Sequence, residues 1–162
     1  MDPEIAERVA RLERVCLQRE WTVGLAESCT GGLLSSWICA YPGVSRFFVG
    51  AVVSYARSVK ESVLRVPSPL VKTHGEVSLP VATAMAKGAR EVLSCDWSVS
   101  LTGIAGPSGG TAHKPVGTVC FAILGPGFEE AICKHFPVNG GRQDIQRQAA
   151  LFAFDSLLNA IR

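Results

Sequence analysis

Short apolar runs alternate in this chain with stretches in which apolar residues recur every three or four positions, and this alternation constrains the fold most. The short runs predict strands at 22–26, 47–55, 97–101, 118–124 and 131–136. The last two flank Gly125-Pro126-Gly127 and are predicted to form a hairpin. Strands separated by helices favour parallel pairing between helical layers. We therefore predict a single-domain α/β fold, a three-layer α/β/α sandwich with a mixed, mostly parallel sheet.

The predicted helices fill the remaining segments and begin with recognisable signals. Three of them start where a polar residue precedes proline, at Asp2-Pro3, Ser68-Pro69 and Ser78-Leu79-Pro80. The helix after Pro80 is predicted to reach Leu93, with Val81, Met85 and Val92 on its inner face. Shorter helices are expected from 33 to 40 and from 58 to 64, and a long one from 142 to 161. No linker or repeat interrupts this pattern, so we expect one domain over residues 1–162.

Composition excludes several classes of protein. With 48% hydrophobic and 19% charged residues, a packed core is expected rather than disorder. A formal net charge of +2, from 16 basic and 14 acidic residues, gives no large basic field, so charge alone does not imply a nucleic-acid partner. No apolar run approaches the ~20 residues of a membrane span, and the N-terminus lacks the pattern of a signal peptide. We expect a soluble, cytoplasmic protein without a nucleic-acid or membrane partner.

Six cysteines occur, none of them in a Cys-x-x-Cys pair, and no histidine is spaced to complete a zinc site. Several lie within apolar runs, as Cys120 does. We therefore expect free buried thiols and no bound metal.

A turn of small residues follows the first strand and precedes a helix, which is where ligands collect in open α/β sheets. Within it, Ser28 is a candidate nucleophile beside helix-start amides that can stabilise an oxyanion. Cys29 is a competing nucleophile. The alternative is that Ser28 or Thr30 only caps the helix.

Two further segments carry polar or glycine-rich loops. Tyr55 ends a predicted strand and Lys60 lies near the start of a helix, so both can point toward the same rim of the sheet. A lysine made neutral by its surroundings can take a proton from serine there. The loop at 102–111 has four glycines within eight residues from Gly103 but is neither a P-loop nor a dinucleotide fingerprint. The histidines have no evident carboxylate partner, which disfavours a Ser-His-Asp triad.

These segments together resemble the CinA C-terminal domain family, whose active members are nicotinamide-nucleotide amidases. The matching stretches are AESCTGG at 26–32, VSY at 53–55 with Lys60, GEVS at 75–78, TGIAGP at 102–107 with GGT at 109–111, KPVGTV at 114–119 and Gly141-Arg142. They occur in order from about residue 15 to 158. Full-length relatives have an additional N-terminal domain, so we expect this chain to be the stand-alone form.

The resemblance implies a reaction and a set of site residues. It implies deamidation of nicotinamide mononucleotide to nicotinate mononucleotide and ammonia, as in pyridine nucleotide recycling, without a cofactor or metal. Ser28 would be the nucleophile, with Lys60 and Tyr55 handling its proton. The expected substrate-binding residues are Cys29, Thr30, Gly31, Thr102, Gly103, Gly106 and Arg142, the last of these for the phosphate.

Two points remain open at this stage. A non-catalytic relative, linked to competence or DNA damage, would use the same pocket to bind a nucleotide or a partner protein. The stretch at 56–59 also departs from the family, which commonly has an Asn-Glu pair there. From the resemblance to related domains, a homo-oligomer (a dimer or larger) is a further expectation.

Overall fold

The computed structural model describes residues 2–162, which fold into six α-helices, five strands and one 3₁₀ turn at Val44–Arg46. The helices are α1 (Pro3–Arg19), α2 (Leu33–Cys39), α3 (Arg57–Ser62), α4 (Ser68–His74), α5 (Leu79–Leu93) and α6 (Gly141–Ala160). The strands are β1 (Val23–Glu27), β2 (Phe48–Val53), β3 (Trp97–Gly103), β4 (Thr118–Gly125) and β5 (Phe128–His135).

The five strands form one sheet in the order β2-β1-β3-β4-β5. Strand β1 pairs in parallel with both β2 and β3, whereas β3, β4 and β5 pair antiparallel. The predicted mixed α/β sheet and the β4–β5 hairpin are thus confirmed. Because β1, β2 and β3 are parallel, their carboxyl ends meet at one edge, where the polar loops follow.

Helices cover both faces of the sheet and complete the three layers. One face packs against α1, α2 and α6, the other mainly against α5. The residues of strand β3 alternate between the two faces of the sheet. Its apolar residues enter the core on the side of α1, α2 and α6: Trp97, Val99 and Leu101. Between them, the hydroxyls of Ser98 and Ser100 donate to backbone carbonyls of α5 at 2.8 and 2.6 Å. These buried serines are therefore paired.

The helix signals are confirmed in two cases and corrected in one. The Asp2 carboxylate accepts from the Glu4 amide at the start of α1, and Ser78 caps α5. In α4, however, Pro67 occupies the capping position and Ser68 is already helical, so no side chain caps that helix. The prediction that Val92 faces inward is also wrong: this side chain is 41% exposed, because it falls off the buried stripe of α5.

The expectation of free thiols fails for one pair of cysteines. Cys120 on β4 and Cys133 on β5 are directly opposite in the antiparallel ladder, with Cα atoms 4.0 Å apart, and form a disulfide. The hairpin brings them together, and their spacing of 13 residues in the sequence does not by itself indicate pairing. The remaining free cysteines are Cys16, Cys29, Cys39 and Cys95, of which Cys39 is exposed rather than buried.

Between residues 2 and 162, none of the helices has the length and apolar character needed to cross a membrane. The same residues contain no cluster of three or more His, Cys, Asp or Glu side chains that could hold a metal ion.

Candidate active site

Ser28 lies at the carboxyl end of β1, between the ends of β2 and β3. Its amide donates to the carbonyl of Leu101 at 3.1 Å, so it continues the parallel ladder by one residue. The residue is only 7% exposed, and its side chain lines a cavity of about 340 Å³. The sheet thus fixes the backbone of Ser28 while its hydroxyl meets a space of the size of a small-ligand pocket.

The residue before it, Glu27, is fully buried and holds the turn in place. One carboxylate oxygen accepts from the Thr30 hydroxyl at 2.6 Å and from the amides of Gly32 and Leu34. The other accepts from the Ser35 amide at 2.8 Å. Glu27 therefore satisfies amides at the start of α2 that would otherwise be unpaired, since Gly32 has no capping side chain. This network rigidifies the segment that presents Ser28.

Lys60 extends from α3 into the same place and is 1% exposed. Its Nζ donates to Ser28 Oγ at 3.1 Å and to the Ser54 carbonyl at 2.8 Å. The Glu76 carboxylate is 3.3 Å away, and the Tyr55 carbonyl accepts from the same Nζ at 3.4 Å. The lysine is thus held by several acceptors, and one of them is the serine hydroxyl.

The far wall of the cavity consists of the end of β3 and the glycine-rich loop after it, including Thr102, Gly103, Gly106 and Gly109. The Thr102 hydroxyl donates to the Glu76 carbonyl at 3.0 Å, which ties the loop before α5 to β3. Gly103 is confined, because a Cβ there would collide with Val119 and the Thr118 carbonyl. A side chain at this position would therefore displace the wall of the site.

Arg142, near the start of α6, reaches across to the cavity. Its Nη1 donates to the Gly106 carbonyl at 2.7 Å, and its Nη2 donates to the Tyr55 hydroxyl at 2.8 Å. Gly140 occupies the capping position of α6, and no side chain of residues 2–162 caps this helix. The guanidinium and the helix start together place positive potential on this side of the cavity.

Cys29 also lines the cavity, but its thiol is a poor nucleophile. Burial raises the pKa of the Cys29 thiol to about 12, since the thiolate is disfavoured away from water. Its carbonyl accepts from Gln146 Nε2 of α6 at 2.8 Å. The structure therefore favours Ser28 over Cys29 as a nucleophile.

A larger cavity, of about 620 Å³, lies at the other end of the sheet beside Cys95 and Gly125. Burial raises the pKa of the Cys95 thiol to about 11, so this cysteine is a weak nucleophile as well. We therefore assign the candidate chemistry to the smaller cavity, where a hydroxyl meets a buried amine.

Most of the residues predicted for the site line this cavity. They are Ser28, Cys29, Tyr55, Lys60, Thr102, Gly103, Gly106 and Arg142. Thr30 and Gly31 do not: the Thr30 hydroxyl binds Glu27, and the Gly31 amide donates to the Ser28 carbonyl. Both residues shape the turn instead of facing a ligand.

Sequence reasoning missed three polar residues of this region. Glu27 and Glu76 lie within the quoted motifs, Glu27 next to Ser28 and Glu76 two positions before the helix-capping Ser78, and an acidic residue close to a serine was the available signal. Gln146, in contrast, lies on α6 and is 117 residues from its partner. Nothing in the local sequence distinguishes it.

The geometry combines a serine hydroxyl, a buried amine within hydrogen-bond distance of it, and backbone amides without a protein oxygen as acceptor. Within residues 2–162, the amides of Cys29 and Thr30 donate to no protein oxygen. Such a set can activate a hydroxyl and stabilise a developing oxyanion.

The family model of the CinA C-terminal domain matches residues 5–161. A CinA-like protein of Anaeromyxobacter sp. (strain K) is 46% identical over 158 residues, covering 98% of this chain and 36% of that protein. A CinA-like protein of Prochlorococcus marinus is 46% identical over 140 residues, covering 86% of this chain and 33% of its own length. The chain thus spans about a third of the curated relatives it matches.

Solved structures of CinA superfamily proteins have the same fold. A competence-damaged protein (CinA) superfamily protein from Escherichia coli is 32% identical with a TM-score of 0.92, covering 99% of this chain and 92% of that one. The competence/damage inducible protein CihA from Agrobacterium tumefaciens is 32% identical with a TM-score of 0.91, covering 96% and 95% of the two chains. With the family model matching nearly its whole length, this chain belongs to the CinA C-terminal domain family.

Proposed function

We propose that this protein is a serine amidase that converts nicotinamide mononucleotide to nicotinate mononucleotide and ammonia. The observation that carries the proposal is the hydrogen bond of 3.1 Å between Lys60 Nζ and Ser28 Oγ at the wall of the cavity. A nucleophile and a base within hydrogen-bond distance are the signature of covalent catalysis.

In the proposed reaction, neutral Lys60 takes the proton of Ser28 while Oγ attacks the carboxamide carbon. The resulting ammonium of Lys60 protonates the leaving nitrogen, which departs as ammonia and leaves an ester on Ser28. Lys60 then accepts a proton from water, the hydroxide attacks the ester, and Ser28 regains its proton as nicotinate mononucleotide leaves. One base thus serves both halves of the reaction.

The oxyanion formed at each attack needs donors that are already in place. We assign this role to the amide of Cys29, which follows the nucleophile directly, belongs to a residue that lines the cavity and lacks a protein oxygen as acceptor within the described chain. The turn that carries this amide is fixed by Glu27 on one side and by Gln146 on the other. A rigid turn supports oxyanion stabilisation because the donors need no reorganisation.

The anionic end of the substrate is assigned to Arg142 and the start of α6. Two of its guanidinium nitrogens already bind the Gly106 carbonyl and the Tyr55 hydroxyl, which orients the side chain. A phosphate is well matched to a fixed guanidinium beside an uncapped helix start. Tyr55 in this proposal serves the reaction by placing Arg142 through its hydroxyl and Lys60 through its carbonyl.

The test is release of ammonia from nicotinamide mononucleotide by the purified protein, a Ser28→Ala variant and a Ser36→Ala control. Ser36 is an exposed serine of α2, so its loss reports any general effect of the substitution. We expect turnover by the wild type and the control, and a loss of at least about a thousandfold in Ser28→Ala. Binding of the mononucleotide without turnover by the wild type would instead favour the non-catalytic role.

A further inference from the structure

Glu76 contributes the only carboxylate among the described residues that line the cavity of Ser28; the other charged groups there are Lys60 and Arg142. Its side chain is 43% exposed and its Oε2 is 3.3 Å from Lys60 Nζ. The hydrogen bond from Thr102 fixes the backbone of Glu76 against the end of β3. The carboxylate is therefore presented to the ligand space beside the reacting groups.

The measured contacts limit the distance between the Glu76 carboxylate and the reacting oxygen of Ser28. Lys60 Nζ contacts both Ser28 Oγ and Glu76 Oε2, so the two oxygens are separated by no more than the sum of those contacts. In a nicotinamide, the carboxamide carbon is bonded directly to the ring. Any charge on the ring is consequently held close to the groups that surround Ser28.

We propose that Glu76 is a specificity-determining residue that selects amides attached to a positively charged ring, an inference that rests on the proposed amidase function. The carboxylate attracts a pyridinium ring across a partly desolvated space, while Arg142 receives the phosphate. The two side chains give the cavity opposite charges that match a ligand with a cationic ring and an anionic tail. An uncharged ring gains nothing from Glu76.

The experiment compares nicotinamide mononucleotide with its reduced form, which has the same amide and phosphate but an uncharged dihydropyridine ring. Dissociation constants are measured by titration calorimetry in Ser28→Ala and in Ser28→Ala/Glu76→Gln, so that neither ligand is consumed. The matched control is Ser28→Ala/Glu91→Gln, since Glu91 is exposed and its one ion pair among residues 2–162 is with Arg65 at 3.7 Å.

We expect Glu76→Gln to weaken binding of the oxidised mononucleotide about tenfold and of the reduced one less than about twofold, the exposure of the carboxylate limiting the effect. Equal losses for both ligands, or no loss for the oxidised one, would overturn the inference. Ammonia release by the wild type is measured separately. A selective loss of binding without ammonia release would retain Glu76 as the specificity residue and reject the proposed reaction.

Discussion

Replacing Glu27 by glutamine tests whether this buried carboxylate is what holds the nucleophile turn. It accepts four hydrogen bonds, from the Thr30 hydroxyl and from the amides of Gly32, Leu34 and Ser35. Glutamine has nearly the same volume but only one acceptor oxygen. In its least costly orientation it keeps three of the donors and turns its own NH₂ against the Ser35 amide.

The expected cost follows from these bonds. One hydrogen bond to a charged acceptor is lost, worth about 1.5–3 kcal/mol, and three others become weaker neutral bonds. We expect the free energy of unfolding to fall by about 3 kcal/mol, or roughly 6–12 °C in Tm for a domain of this size. The proposed amidase activity should fall as well, because Ser28 is next in the chain.

The assay is urea denaturation followed by circular dichroism, with Glu7→Gln as the control. Glu7 is exposed on α1, so the control should change stability by less than about 0.5 kcal/mol. A loss below about 1 kcal/mol in Glu27→Gln, close to that of the control, would refute the assigned role of the carboxylate.

Three further outcomes follow from the structure. Tyr55→Phe removes the acceptor of the Arg142 Nη2 hydrogen bond, so steady-state kinetics should show a several-fold higher KM for the mononucleotide and a nearly unchanged kcat. A collapse of kcat would instead show that the hydroxyl carries a proton in the reaction. Because burial raises the pKa of the Cys29 thiol to about 12, iodoacetamide at pH 8 should modify the exposed Cys39 and leave Cys29 intact. Peptide mass spectrometry measures the labelling of each cysteine, and equal labelling would contradict the burial of Cys29. Gly88→Ala places a methyl group against the backbone of Leu64, so we expect the free energy of unfolding, measured by urea denaturation, to fall by about 1–3 kcal/mol. An unchanged denaturation midpoint would contradict this packing.

The sequence predicted the α/β sandwich because the apolar pattern of its strands and helices is regular. The β4–β5 hairpin and the caps of α1 and α5 depend on neighbouring residues alone, so local rules were sufficient there. Boundaries were less accurate: β3 extends to Gly103, two residues beyond the predicted strand, because its pairing with β4 continues to that point. Such pairing depends on the partner strand, so the sequence of either strand alone does not predict where the pairing ends.

The site was predicted in part, and for a similar reason. Ser28 and Lys60 stood out by their motifs, yet their contact of 3.1 Å joins residues 32 positions apart and required the fold to be known. The Arg142–Tyr55 hydrogen bond spans 87 positions, so the sequence did not indicate that these two side chains are in contact. The Cys120–Cys133 pair was missed because hydrophobic neighbours suggested free thiols, whereas the ladder places the two cysteines opposite each other.

The central claim is that the oxygen of Ser28 attacks the carboxamide, and trapping the acyl-enzyme tests it most directly. The protein is mixed with nicotinamide mononucleotide, quenched in acid during the first turnover and analysed by peptide mass spectrometry. We predict a nicotinate mononucleotide ester on Ser28 that forms with release of ammonia and is missing from Ser28→Ala, which should not turn over. An adduct on Cys29, or continued turnover by Ser28→Ala, would contradict the proposed mechanism.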